Sequence, residues 1–373
     1  MINRFGFLDV KARSYVSLSV IARREAVMQM RRVMALCVAL LFAAGSFTSA
    51  QKAEKDEKKR SKQEQQDIEA LVKMVDAVSM GQQQPPADLT VTFESSHFVK
   101  GQDGKTYIPF TINVDRSKLA APGVALYVRA VAKEAATTTA GTAGEKKEEK
   151  RDEKVEYPWD NVHFVEVPAD GKISRAMAVP GGEYELFVAA KERNTGDRRQ
   201  PPQKMGLLRH DLSVPDFNTP ELQTSSVIVA AAVEPVPQAL SNEEQQENPY
   251  TFGTMKIVPS TDPKFQKSGE LQVVFWIYGA TTDASKKPDV QVEYNFHQKT
   301  AEGEKYFNKT APQQLNATTL PPQFDMAAGH QLPGSLVVPL ASFPPGDYRL
   351  EIKVTDKPSG KTLTRDVAFS VVG

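Results

Sequence analysis

Two stretches of the chain repeat one local pattern, and that repeat limits its fold more than any other feature. Val179-Pro180-Gly181-Gly182-Glu183-Tyr184-Glu185-Leu186-Phe187-Val188 leads to Asn194-Thr195-Gly196 and then to a strand-like run at 208–214. Phe343-Pro344-Pro345-Gly346-Asp347-Tyr348-Arg349-Leu350-Glu351-Ile352 leads to Pro358-Ser359-Gly360 and a run at 364–371. Gly182 and Gly346, Tyr184 and Tyr348, and Leu186 and Leu350 are all separated by the same interval. Each copy sets Pro-Gly punctuation before a run suited to a strand, then a turn, then another such run. The chain therefore reads as two halves of similar build.

The remaining residues fit that reading. Short apolar runs suited to strands fall at 89–93, 107–114, 124–131, 162–167, 173–179, 184–190, 207–214 and 222–230. A second series falls at 254–258, 271–278, 290–296, 335–340, 348–354 and 363–372. Asp103-Gly104 and Asp170-Gly171 supply turn dipeptides between runs. Proline (25) outnumbers glycine (22), and such a mixture with many β-branched and aromatic residues favours strands and turns over helices. The expected fold is all-β, with two tandem antiparallel β-sandwiches at 87–233 and 250–373. The Pro/Glu/Gln-rich stretch 234–249 reads as the linker between them.

Gly-x-Tyr-x-Leu at the start of a penultimate strand resembles the tyrosine corner of immunoglobulin-like and fibronectin-like sandwiches. The resemblance implies that Tyr184 and Tyr348 pack on a core and bond upstream backbone. Leu186 and Leu350 stand where antibody domains place a cysteine, in keeping with a chain that has one cysteine in all. The ending at 344–367 is also similar to the sandwich tails of bacterial secreted proteins that carry GWxTD or VWFA-related domains. Neither the GWxTD string nor an Asp-x-Ser-x-Ser metal site is present, so the resemblance implies architecture and export and no active residue.

The amino-terminal part speaks for export. Arg31-Arg32 precede an apolar run from Val33 to Phe47, and Thr48-Ser49-Ala50 lead to Gln51. This is the order of a secretory signal peptide at 30–50, cleaved between Ala50 and Gln51. The run is short for a membrane span; an uncleaved anchor is the alternative. Residues 1–29 read as a start-site extension ahead of Met30. Cys37 lies within the signal and lacks the small neighbours of a lipid-attachment box. Residues 51–86 combine a charged segment with an amphipathic helix whose stripe is Ile68, Leu71, Val72, Val75 and Val78. Residues 135–154 end in a block of balanced charge and read as a disordered insertion in the first sandwich.

No pattern of reactive side chains stands out. The five histidines (97, 163, 210, 297 and 330) show no metal-ligand spacing, and no HExxH, GxSxG, phosphate loop or GxGxxG is present. No catalytic, metal or cofactor residue is therefore assigned. His210-Asp211, and Asp160 near His163, are the weak candidates for a spatial triad. Turn aspartates 103, 170 and 347 serve the backbone locally. Asn308-Lys309-Thr310 and Asn316-Ala317-Thr318 match glycan acceptors, which matter only in a eukaryotic secretory pathway. Lys plus Arg equals Asp plus Glu at 46 each, so nothing draws the chain to nucleic acid.

One strand departs from sandwich patterning. Along 271–278, Leu271, Val273, Phe275 and Ile277 face one way and suit a core, while Val274, Trp276 and Tyr278 face the other. Either another part of the chain covers that second face, or it is a recognition patch for a protein, peptide or glycan. The leading reading is a non-catalytic, extracytoplasmic binding or scaffold module. The alternatives are a hydrolase or carbohydrate-active enzyme with a site in inter-domain loops, and a membrane-anchored structural protein.

Overall fold

A computed structural model describes residues 60–133, 156–197, 199 and 201–373. The extension 1–29, the signal segment 30–50 with Ala50 and Gln51, and the insertion 135–154 lie outside the described residues. The chain is mostly β. Its elements are α1 (Lys62–Ser79), β1 (Val91–Ser96), β2 (Val99–Lys100), β3 (Thr106–Val114), β4 (Gly123–Ala132), β5 (Trp159–Glu166), β6 (Lys172–Val179), β7 (Gly182–Glu192) and β8 (Met205–Val214). There follow β9 (Gln223–Thr224), β10 (Ile228–Pro235), α2 (Asn242–Glu247), β11 (Thr251–Phe252), β12 (Met255–Pro259), β13 (Lys264–Gln266) and β14 (Glu270–Tyr278). The chain closes with β15 (Val290–Thr300), β16 (Gly303–Lys309), β17 (Gln313–Leu315), β18 (Leu332–Pro339), β19 (Gly346–Asp356) and β20 (Thr362–Val372).

Strand pairing sorts these into two sandwiches. In the first, β1, β2 and β6 flank β3, and this sheet faces the sheet β5-β4-β7-β8. Ile108, Phe110 and Ile112 of one sheet meet Leu126, Val128, Leu186 and Val188 of the other in a single buried core. In the second, β11-β12-β10-β14-β18, with β9 beside β14, faces β13-β20-β19-β15-β16, with β17 beside β15. Leu271, Val273, Phe275 and Ile277 there meet Tyr294, Phe296, Leu350, Ile352 and Phe369. β19 alternates buried and part-exposed residues, as a strand with one wet face must.

Both copies of the repeat close their cores in the same way. The Tyr184 hydroxyl donates to the Pro180 carbonyl at 2.9 Å, and the Tyr348 hydroxyl to the Pro344 carbonyl at 2.7 Å. Both rings are buried, with Leu186 and Leu350 fully enclosed two residues on. Tyr348 stacks on Phe369, with centroids 5.3 Å apart. Gly182 and Gly346 adopt φ +153° and +150°, a region that side chains with a Cβ rarely occupy. The glycine before each tyrosine is thus a backbone requirement.

The boundary between the halves differs from the sequence expectation. The run at 222–230 pairs in the second sandwich, with β9 and β10 both hydrogen-bonded to β14. The stretch 234–249 is not an extended linker either. It holds the end of β10 and the helix α2, which is capped by Ser241 and Glu244. The physical reason is pairing with burial: residues 228–230 hydrogen-bond to β14, and the side chains of Ile228 and Ala230 are buried in the apolar joint. The chain crosses between sandwiches at 215–222 instead.

α1 begins with a capping box between Ser61 and Glu64. Its Leu71, Met74 and Val75 pack on Tyr127, Phe187 and Ala189, the outward side of β4 and β7. This explains why β4 is buried on both faces. Two ion pairs tie the helix to the sheet. Asp67 on α1 pairs with Lys191 on β7, with both side chains buried. Asp67 also accepts from the Asn194 N–H at 2.9 Å. Arg129, 2% exposed, meets Asp76 at 2.6 Å, donates to the Tyr127 hydroxyl, and lies over the Tyr157 ring.

Candidate functional site

The strand that stood out in the sequence leads to the junction of the two sandwiches. The possible contact residues Val274, Trp276 and Tyr278 do share one face, but they are only 3%, 4% and 4% exposed. Phe98 and Val99 from the first sandwich, Phe217 from the crossing segment, and Tyr250 and Phe252 from the segment after α2 cover them. Of the two alternatives the sequence left, the face is covered by another part of the chain and is not a surface patch open to an outside partner. A bare Trp and Tyr side by side would leave a large apolar area in water, and the first sandwich removes it.

Polar bonds fix this apolar joint. The Lys100 N–H donates to the Tyr278 hydroxyl at 3.0 Å, and the Tyr107 hydroxyl to the Pro249 carbonyl at 2.9 Å. Phe98 and Ser226 are tied twice, once through each residue's backbone N–H. The Tyr250 hydroxyl lies 2.9 Å from His97 Nδ1. Burial lowers the His97 pKa to about 4 and pushes Tyr250 up to about 12. Both groups are thus uncharged across the physiological range. Phe252 approaches the Trp276 ring at 4.7 Å, and Phe217 the Tyr278 ring at 4.9 Å.

The other histidines take separate places. His163 projects between the sheets beside Arg175, and burial first, then that cation, lowers its pKa to about 4. Asp160, three residues earlier, instead accepts from the Tyr127 hydroxyl at 3.2 Å on the helix side of the strand. His210 stacks on Phe93 with centroids 4.0 Å apart, while Asp211 turns to Lys133. Neither suspected pair forms a triad. His297 meets Tyr306 edge-on, and His330 Nδ1 accepts from the Asp325 N–H. Among the described residues no three potential metal ligands converge.

The described residues also form open grooves, two of which bear on function. One, of about 450 Å³, is lined by Gln63, Pro122, Glu166, Glu192 and Arg193 and brings two carboxylates to one cleft. Glu192, 7% exposed, spends both oxygens on the N–H groups of Ala120 and Lys204, at 2.8 and 2.9 Å. It braces two loops and is not presented to a substrate. The other groove, of about 460 Å³, lies at the junction itself. Its walls are Phe98 and Phe217, the segment 223–227, and Arg365, Asp366 and Val367 of β20. It joins aromatic side chains, a cation and the border of a sheet, which suits an extended ligand better than a reacting small molecule. Sequence reasoning missed this groove, because its walls come from three distant parts of the chain.

No family model matches the chain, and no curated protein does. Among solved structures, trypsin-activated alpha-2-macroglobulin from Escherichia coli aligns at 9% identity over 78% of this chain and 17% of that one, with a TM-score of 0.21. Salmonella alpha-2-macroglobulin reacted with methylamine aligns at 13% identity over 76% of this chain and 16% of that one, with a TM-score of 0.20. The chain spans less than a fifth of the length of either protein. The fold assignment here rests on the strand pairing and the two cores.

Proposed function

We propose that the chain is a non-catalytic, exported interaction or scaffold module of the cell envelope or extracellular space. The observation that carries this reading is the junction groove, where an unpaired stretch of β20 is held open between two sandwiches locked together by aromatic packing. Export is supported by the signal-like segment at 30–50. A protein or peptide partner suits the groove better than a glycan, because backbone groups lie along its side.

Site-specific photo-crosslinking in producing cells tests the reading. A photoreactive residue at exposed Thr364, beside the groove, should give a discrete adduct with one partner. The same residue at Tyr306, 58% exposed on the edge strand β16, serves as a second surface probe. Absence of adducts from both positions overturns the reading. Mass spectrometry of the protein outside the cytoplasm should find Gln51 at its amino terminus; a start at Met1 or Met30 would refute cleavage at Ala50.

A further inference from the structure

β20 pairs with β19 along nearly its whole length. On its other side, among the described residues, it has a strand partner only at its end, where β13 runs parallel beside residues 370–372. The N–H and C=O of one strand residue point to the same side, and successive residues alternate. The Ser370 N–H donates to the Pro263 carbonyl on the β13 side at 2.8 Å. The backbone groups of Ala368, Asp366 and Thr364 therefore face that side too, where no described strand pairs with them. The Thr364 carbonyl receives only a long bond, 3.2 Å, from the neighbouring Arg365 guanidinium.

Strand borders exposed to water usually carry lysine or proline, which discourage pairing. β18 has Pro333 and Pro339, and β16 has Lys305 and Lys309. Between Thr362 and Ala368 there is neither. The middle of this stretch, Arg365, Asp366 and Val367, instead lines the groove whose walls include Phe98 and Phe217. Its charges are unequal. Asp366 shares Arg349 with Glu304 and Glu351, whereas Arg365, on the alternate face of the strand, pairs with no carboxylate among the described residues and bonds only Thr224 and the Thr364 carbonyl.

We propose that this border of β20 takes an extended peptide from another protein as an added strand. The peptide carries an acidic side chain opposite Arg365 and an apolar side chain against the half-buried Phe98. Backbone hydrogen bonds supply affinity, and the cation and the ring supply selectivity. The proposal rests on the interaction-module reading and names the partner class of its groove.

The test uses the full chain and three labelled probes. The first is acetyl-Thr-Val-Glu-Val-Thr-Val-Thr-amide, the second has Lys in place of Glu, and the third is the first with alternate backbone nitrogens methylated. Fluorescence anisotropy should show saturable binding of the Glu peptide, about tenfold weaker binding of the Lys peptide, and none of the methylated one. Ala368→Pro removes one outward N–H and should abolish binding. Arg365→Glu, a surface change that leaves the strand intact, should invert the preference between the Glu and Lys peptides. Failure of the Glu and Lys peptides to saturate overturns the proposal, as does binding indifferent to methylation and to both substitutions. A dimer in sedimentation that Ala368→Pro splits would overturn it in favour of a second copy of the chain. Adducts formed at Tyr306 while the peptides fail would sink the β20 assignment and leave the module reading standing.

Discussion

The Tyr278 hydroxyl accepts the Lys100 N–H at 3.0 Å, so a ring set on the outer face of one sandwich is fastened to the backbone of the other. Trp276 lies beside it on the same strand face, against Phe252. Trp276→Ala should cost about 3–5 kcal/mol, the usual range for emptying a buried aromatic site. In a urea titration followed by circular dichroism, the single transition should separate into two as the sandwiches uncouple. An unchanged midpoint would mean that the rings contribute little to the joint.

Tyr278→Phe isolates the polar part of the same contact. It keeps the ring and leaves the Lys100 N–H without its acceptor, for an expected loss of about 1–2 kcal/mol. Hydrogen exchange at the Lys100 amide should quicken in this variant, while the amides of β19 stay protected.

Tyr184→Phe and Tyr348→Phe should each destabilise by about 1 kcal/mol, because each removes one hydroxyl-to-carbonyl bond. The two corners lie in different cores, so the double variant should show nearly the sum of the single effects. Gly182→Ala should cost more than either, through strain at φ +153°. Differential scanning calorimetry of the four proteins ranks them.

The buried pair between Asp67 and Lys191 holds the helix to its sheet. Lys191→Met strands a buried carboxylate and should cost about 3–5 kcal/mol. Adding Asp67→Leu should recover part of that loss but not all, because the Asn194 N–H then lacks its acceptor. Urea midpoints of the three proteins decide it. If the double variant is the least stable, the carboxylate's bond to Asn194 matters more than the ion pair.

Acid should loosen the molecule at a defined point. His97 and His163 have pKa values near 4 in the folded chain against an ordinary value of 6.5, because burial disfavours the imidazolium. Between these values the unfolded chain binds protons that the folded one refuses, so stability rises with pH. It should be level above about pH 6.5 and fall towards pH 4, by up to roughly 3 kcal/mol for each histidine. His97→Gln should flatten about half of that slope in stability measured against pH. A slope unchanged in this variant would place the effect elsewhere.

What the sequence revealed depended on how local the signal was. Gly-x-Tyr-x-Leu names both tyrosine corners because the glycine, the ring and the proline carbonyl lie within five residues of one another. The separate faces of Leu271 and Trp276 follow from strand alternation alone. What covers the face of Val274, Trp276 and Tyr278 does not, since Phe98, Val99 and Phe217 come from far upstream. The domain boundary failed for the same reason: the strand at 228–235 is compatible with either core, and only its register with β14 decides. Asp67 could have been noticed, because it falls on the same helical stripe as Leu71, Val75 and Val78. Its partner Lys191 sits in a run of small and aromatic residues with nothing to mark it as buried.

Because Tyr250, Phe252 and Trp276 fill the space where two beads on a string would flex, the molecule has no elbow there. A turn imposed on one end carries the other round with it.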